Sequence, residues 1–120
     1  MQKHILVIED NDMLRRLYSR ALHLTGQAVH PAANLQEARE LINTYPVDLI
    51  LCDVELNGER GLDLLREQRD LLRAYGTHVI VASAEDGYRR ECEELGVDLF
   101  LEKPVEVSPL LSLVGKLMSN

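Results

Sequence analysis

The chain has 120 residues, 46% hydrophobic and 28% charged, with a formal net charge of −7. That length suits one domain, residues 1–120, with a single core and no staples, and excess acid without a basic stripe sets direct nucleic-acid binding aside. No apolar run approaches the ~20 residues that span a bilayer, and Asp10 and Asp12 interrupt the first run too early for a signal peptide.

The two cysteines, Cys52 and Cys92, make no disulfide framework. They read as buried free thiols, and a cytoplasmic setting is expected.

Lys3 to Asp10 is an apolar run closed by acids and predicts a buried strand. Asn11 or Asp12 is placed to cap the next helix. Its helically spaced apolar residues are Met13, Leu14, Leu17, Tyr18, Ala21 and Leu22, and Gly26 ends it. Gln27 to His30 predicts a short strand that stops at Pro31. Asn34 caps a second helix, with Leu35, Ala38, Leu41, Ile42 and Tyr45 on its apolar face and Pro46 closing it. The run Leu49-Ile50-Leu51-Cys52 ends on Asp53, the pattern of a strand buried on both faces.

Glu55 to Gly61, with Asn57-Gly58 inside it, reads as a strand-to-helix loop and not as a hairpin. The helix that follows carries Leu62, Leu64, Leu65, Gln68, Leu71 and Leu72, with Gly76 just beyond. Thr77 to Ala82 predicts a fourth strand, followed at once by Ser83. Glu85 to Leu95 is helical with a thin apolar face of Tyr88, Cys92 and Leu95, closed by Gly96. Asp98 to Leu101 is the last strand, and Glu102-Lys103-Pro104 follows. Ser108 caps the final helix, with Pro109 at its first position. Leu110, Leu111, Val114, Leu117 and Met118 face inward.

Strand and helix thus alternate five times, which predicts an α/β fold with a doubly wound parallel sheet and helices on both faces. In such a sheet the strand ends share one edge, where ligands bind. Glu9, Asp10, Asp53 and Ser83 sit at those ends, and Lys103 follows the last one. Two carboxylates about 4 Å apart repel by roughly 4 kcal/mol at an effective dielectric of about 20. A divalent cation relieves that repulsion, and hard oxygen ligands suit Mg²⁺. The four histidines, His4, His23, His30 and His78, have no ligand spacing to one another. A carboxylate beside Mg²⁺ and a lysine can attack a phosphoryl group and hold it as an acyl phosphate. The transferring group needs its oxygens neutralised, one by the metal, one by Lys103 and one by the Ser83 hydroxyl with nearby N–H groups.

The motifs Ile8-Glu9-Asp10, Leu51-Cys52-Asp53, Ala82-Ser83-Ala84 and Glu102-Lys103-Pro104 resemble those of response-regulator receiver domains of two-component signalling, and the likeness covers nearly the whole chain. The resemblance implies a flavodoxin-like, five-stranded sheet of order 2-1-3-4-5. It implies that Asp53 is phosphorylated by a histidine kinase or phosphotransfer protein. It further implies that Asp10, Asp53 and the backbone carbonyl of Glu55 ligate Mg²⁺, with Glu9 acting through water. Phe100 matches the family's aromatic switch position. Phosphorylation would then draw Ser83 inward and alter the face of the fourth helix, fifth strand and fifth helix, where an effector domain or a second copy would dock. Tyr88, Arg89 and Arg90 are the candidate partner contacts.

Such a protein is a phospho-acceptor switch and not an enzyme beyond self-phosphorylation and self-dephosphorylation. The chain departs from the family pattern where Leu56-Asn57 replaces the usual Met-Pro pair, while Gly61 matches. One alternative is a degenerate receiver that serves only as an interaction module; the intact acid, hydroxyl and lysine set argues against it. The other is an aspartyl-phosphate phosphatase. That reading needs Asp-x-Asp-x-Thr after the first strand, whereas this chain has Asp53-Val54-Glu55-Leu56-Asn57 on its third.

Overall fold

In the computed structural model, which describes residues 2–119, five parallel strands form one sheet. They are β1 (His4–Ile8), β2 (Ala28–Ala32), β3 (Leu49–Asp53), β6 (His78–Ser83) and β7 (Leu99–Glu102), in the order β2-β1-β3-β6-β7. Counting only these strands, the order is 2-1-3-4-5, as the resemblance implies. Side chains alternate between the two faces of each strand. Ile5, Val7, Leu49, Leu51 and Ile80 pack beneath helices α1 (Asp12–His23) and α6 (Val107–Met118). Leu6, Ile8, Ile50, Cys52, Val79 and Val81 pack beneath α2 (Leu35–Thr44), α3 (Gly61–Glu67), α4 (Arg69–Tyr75) and α5 (Arg89–Leu95). The central strand β3 is buried along its whole length, which is why it reads as an unbroken apolar run.

The caps follow from local chemistry. Asn11 and Asn34 accept hydrogen bonds from the backbone N–H of Leu14 and Glu37, so each satisfies one donor that a helix start leaves free. Gly76 and Gly96 close α4 and α5 in the left-handed conformation, where a side chain would be strained.

Several expectations need correction. Asn57-Gly58 does form a hairpin: β4 (Glu55–Leu56) pairs antiparallel with β5 (Glu59–Arg60). Asn57 at φ 45° and Gly58 at φ 86° supply the two left-handed positions that a two-residue turn requires. The hairpin is folded into the strand-to-helix connection. Strand β2 runs through Pro31 to Ala32, because an edge strand tolerates a residue with no N–H to donate. The helix expected through Leu72 breaks at Gln68, whose dihedrals leave the helical region with no proline or glycine to signal it. The stretch from Glu85 opens with a 3₁₀ turn at Asp86–Tyr88 before α5 begins. Helix α6 starts at Val107 and is preceded by Glu106, so Ser108 is not its cap and Pro109 is its third residue. A helix start leaves its first N–H groups unpaired, and proline fits there too. On α1, Met13 and Leu17 lie in solvent, 73% and 46% exposed, while Tyr18 and Leu22 carry the buried face.

His4 at the start of β1, His30 in the middle of β2 and Tyr45 stack, and His4 Nδ1 lies 3.0 Å from His30 Nε2. Burial, and then the neighbouring His4, hold His30 below its ordinary value of 6.5. The folded chain therefore binds this proton less readily than the unfolded chain. The stack's stabilisation is complete above about pH 6.5 and is lost as the pH falls below it. Urea midpoints measured between about pH 8 and about pH 5 should fall more steeply for the native chain than for His30→Gln.

Candidate functional site at the carboxyl edge of the sheet

Strand alternation decides which groups meet. Glu9 continues the face of Ile5 and Val7, Asp53 that of Leu49 and Leu51, and Lys103 that of Leu99 and Leu101. All three therefore belong to the α1/α6 side. Lys103 Nζ donates to Glu9 Oε1 at 2.8 Å and to Asp53 Oδ2 at 2.9 Å. Both carboxylates are buried, with relative exposures of 2% for Glu9 and 6% for Asp53. Lys103 is set in place by its own N–H, which donates to the Ser83 carbonyl at 2.9 Å.

Asp53 Oδ1 accepts the Glu55 N–H at 3.3 Å, and Glu9 Oε2 accepts the Asn11 N–H at 3.1 Å. Gly61 lies so close to the Asp53 carbonyl and Cys52 Sγ that a Cβ there would collide with both. Its N–H donates to the Val54 carbonyl at 2.8 Å, closing the hairpin back onto the site. This is the physical reason for glycine at a position the sequence could mark only by its match to the family.

The electrostatics follow from crowding. Burial disfavours the Lys103 charge, but hydrogen bonds to Glu9 and Asp53 outweigh it, and the ammonium is held above its ordinary value. Burial, and then the Glu9 carboxylate, raise Asp10 above the usual aspartate range. Glu9, Asp10 and Asp53 each offer an oxygen, and these atoms lie within 4.8 Å of one another. The arrangement can hold a metal ion: it is a hard oxygen set with more negative charge than one lysine balances. The Cys52 thiol, buried beside Asp53, is pushed far up and is inert.

Ser83 and Phe100 belong to the opposite face. Ser83 continues Val81, and Phe100 pairs with Val81 across β6 and β7. Ser83 is fully buried; its Oγ donates to Glu55 Oε1 at 3.1 Å and accepts the Glu85 N–H at 3.1 Å. Phe100 is half-buried beneath the Arg89 guanidinium, which lies 4.5 Å from the ring centroid and also bonds Glu102. Arg89, a candidate partner contact, is thus engaged within the chain. Two contacts are not visible in sequence: the direct Glu9–Lys103 pair and the Glu55–Ser83 hydrogen bond. Tyr18, expected as plain core, also stands within electrostatic reach of Lys103, Glu9 and Asp53.

A doubly wound sheet of this order, with its acids and lysine gathered at the carboxyl edge, places the chain in the receiver class of α/β proteins. A family model, response regulator receiver domain, matches residues 5–115, and the chain belongs to that family. It is 31% identical over 117 residues to protein PetR of Rhodobacter capsulatus, a match covering 96% of this chain and 48% of that one. It is 30% identical over 116 residues to the virulence transcriptional regulatory protein PhoP of Salmonella typhimurium, covering 95% and 51%. The chain therefore spans about half the length of these curated relatives. Among solved structures it is similar to the response regulator protein TrrA of Thermotoga maritima in complex with Mg²⁺-BeF. That match has a TM-score of 0.83 at 27% identity, over 98% of this chain and all of that one. Among the described residues no helix is long and apolar enough to cross a membrane.

Proposed function

We propose that the chain acts as a single phospho-acceptor receiver domain, with Asp53 taking a phosphoryl group from a phosphohistidine on a histidine kinase or phosphotransfer protein. The observation that carries this reading is the Lys103 ammonium bridging buried Glu9 and Asp53, with Asp10 alongside. An Asp53 carboxylate oxygen attacks phosphorus, the bond to the donor histidine breaks, and the imidazole leaves with its electron pair. The product is an acyl phosphate. Lys103 stabilises charge on the transferring oxygens, and Ser83 supplies a hydroxyl to one of them. Asp10, Asp53 and the Glu55 carbonyl would hold Mg²⁺, with Glu9 oriented behind them through water. When bound, the metal supplies neutralisation of phosphoryl charge.

Readout follows from the opposite face. Ser83 moves toward the phosphoryl group, Phe100 turns into the space it leaves, and the surface of α5, β7 and α6 changes. That surface is where an effector domain or a second copy docks. Met13 and Leu17, exposed on the first turns of α1 just after Asp10, offer the donor an apolar contact. We place the protein in the cytoplasm, where such donors act. Incubation with acetyl phosphate should yield one acid- and base-labile phosphoryl per chain, as an acyl phosphate requires, when Mg²⁺ is present and almost none in EDTA. Equal labelling with and without the metal overturns the assigned role of the acidic cluster.

A further inference from the structure

We infer that Glu55 is a positioning residue that withholds the Ser83 hydroxyl from an incoming phosphoryl group, so that loading requires this carboxylate to swing away. The inference rests on Asp53 being the acceptor. A hydroxyl has one proton to donate. Ser83 gives its proton to Glu55 Oε1 at 3.1 Å, and its oxygen is meanwhile fixed by the Glu85 N–H. The hydroxyl can serve Glu55 or a phosphoryl oxygen, but not both. Charge acts in the same direction, since a phosphoryl group brings negative oxygens beside a carboxylate.

The local structure holds Glu55 in this post. Its N–H donates to Asp53 Oδ1, and its backbone is paired with Arg60 in the β4–β5 hairpin. Arg60 stands directly opposite, yet its guanidinium is drawn to Asp63 and Glu91 and leaves the Glu55 charge uncompensated. Glu55 is itself an exposed residue, so its side chain has solvent to move into. Ser83 is fully buried and does not. The glutamate therefore moves first, which frees the Ser83 hydroxyl to turn toward the phosphoryl group.

Beryllofluoride with saturating Mg²⁺ tests this, because it mimics the phosphoryl group and cannot be hydrolysed; binding is read by NMR shifts. Glu55→Ala should tighten beryllofluoride binding roughly three- to tenfold, the scale of one hydrogen bond. Placed on Ser83→Ala, the same substitution should gain less than half as much, and Glu55→Gln, which keeps an acceptor but no charge, should fall between. Loading by acetyl phosphate should speed up in the same order. Wild-type binding with no gain in Glu55→Ala overturns the latch alone, as does an equal gain with and without the Ser83 hydroxyl. Absence of binding in the wild type overturns the acceptor reading and this inference with it.

Discussion

Asp53→Asn is expected to take up no phosphoryl label while keeping its fold. The amide has the shape of the carboxylate but no nucleophilic oxygen, and it still accepts a hydrogen bond from Lys103. Lys103 also keeps its 2.8 Å bond to Glu9, so no charge is left buried and alone. The urea midpoint should therefore move little, by less than about 1 kcal/mol in stability. Affinity for Mg²⁺ should fall, since one of three clustered carboxylates loses its charge. Labelling with acetyl phosphate, read by intact mass, decides the matter. Full labelling of this variant would move the acceptor to another carboxylate.

Lys103→Ala is expected to be the most damaging single change to the site. It removes one ammonium from two buried acids at once. Removing one partner of a buried ion pair costs about 3–5 kcal/mol. The lysine side chain is 19% exposed, so water screens part of this and about 2 kcal/mol is the expected loss. Two orphaned carboxylates beside Asp10 also make a stronger cation site. Added Mg²⁺ should therefore raise the melting temperature of this variant more than that of the native chain, while labelling at Asp53 stays well below native. A variant as stable as the native protein without the metal would mean that Glu9 and Asp53 do not depend on Lys103 for compensation.

Much of this was legible in the sequence for a simple physical reason. A strand buried on both faces must be apolar throughout, so Leu49 to Cys52 announces itself, and the first polar residue after it marks the edge where ligands bind. The same logic places Glu9, Ser83 and Lys103. Where side-chain chemistry is local, as with Asn34 as a cap or Gly96 at a left-handed helix end, sequence suffices. It failed where tertiary context decides. Nothing in Gln68 says that its helix breaks there. Pro31 ends a strand in isolation and is accepted only because β2 lies at the sheet edge. Asn57-Gly58 carries a strong turn signal, but the strand-to-helix setting hid the hairpin. The Glu55–Ser83 bond joins residues 28 positions apart, beyond any local pattern.

The parity of the strands has a wider meaning. The ammonium, Glu9 and Asp53 lie under α1 and α6, whereas the hydroxyl and the aromatic ring lie under α5, with the β-sheet as a partition between them. The ion pair and the aromatic ring thus occupy opposite storeys of the molecule, which meet at its rim where the Ser83 hydroxyl bonds Glu55. Under the proposed function, a substitution beneath α1 would act first on the charge cluster and one beneath α5 first on Phe100, and the two would meet only through Ser83 and Glu55.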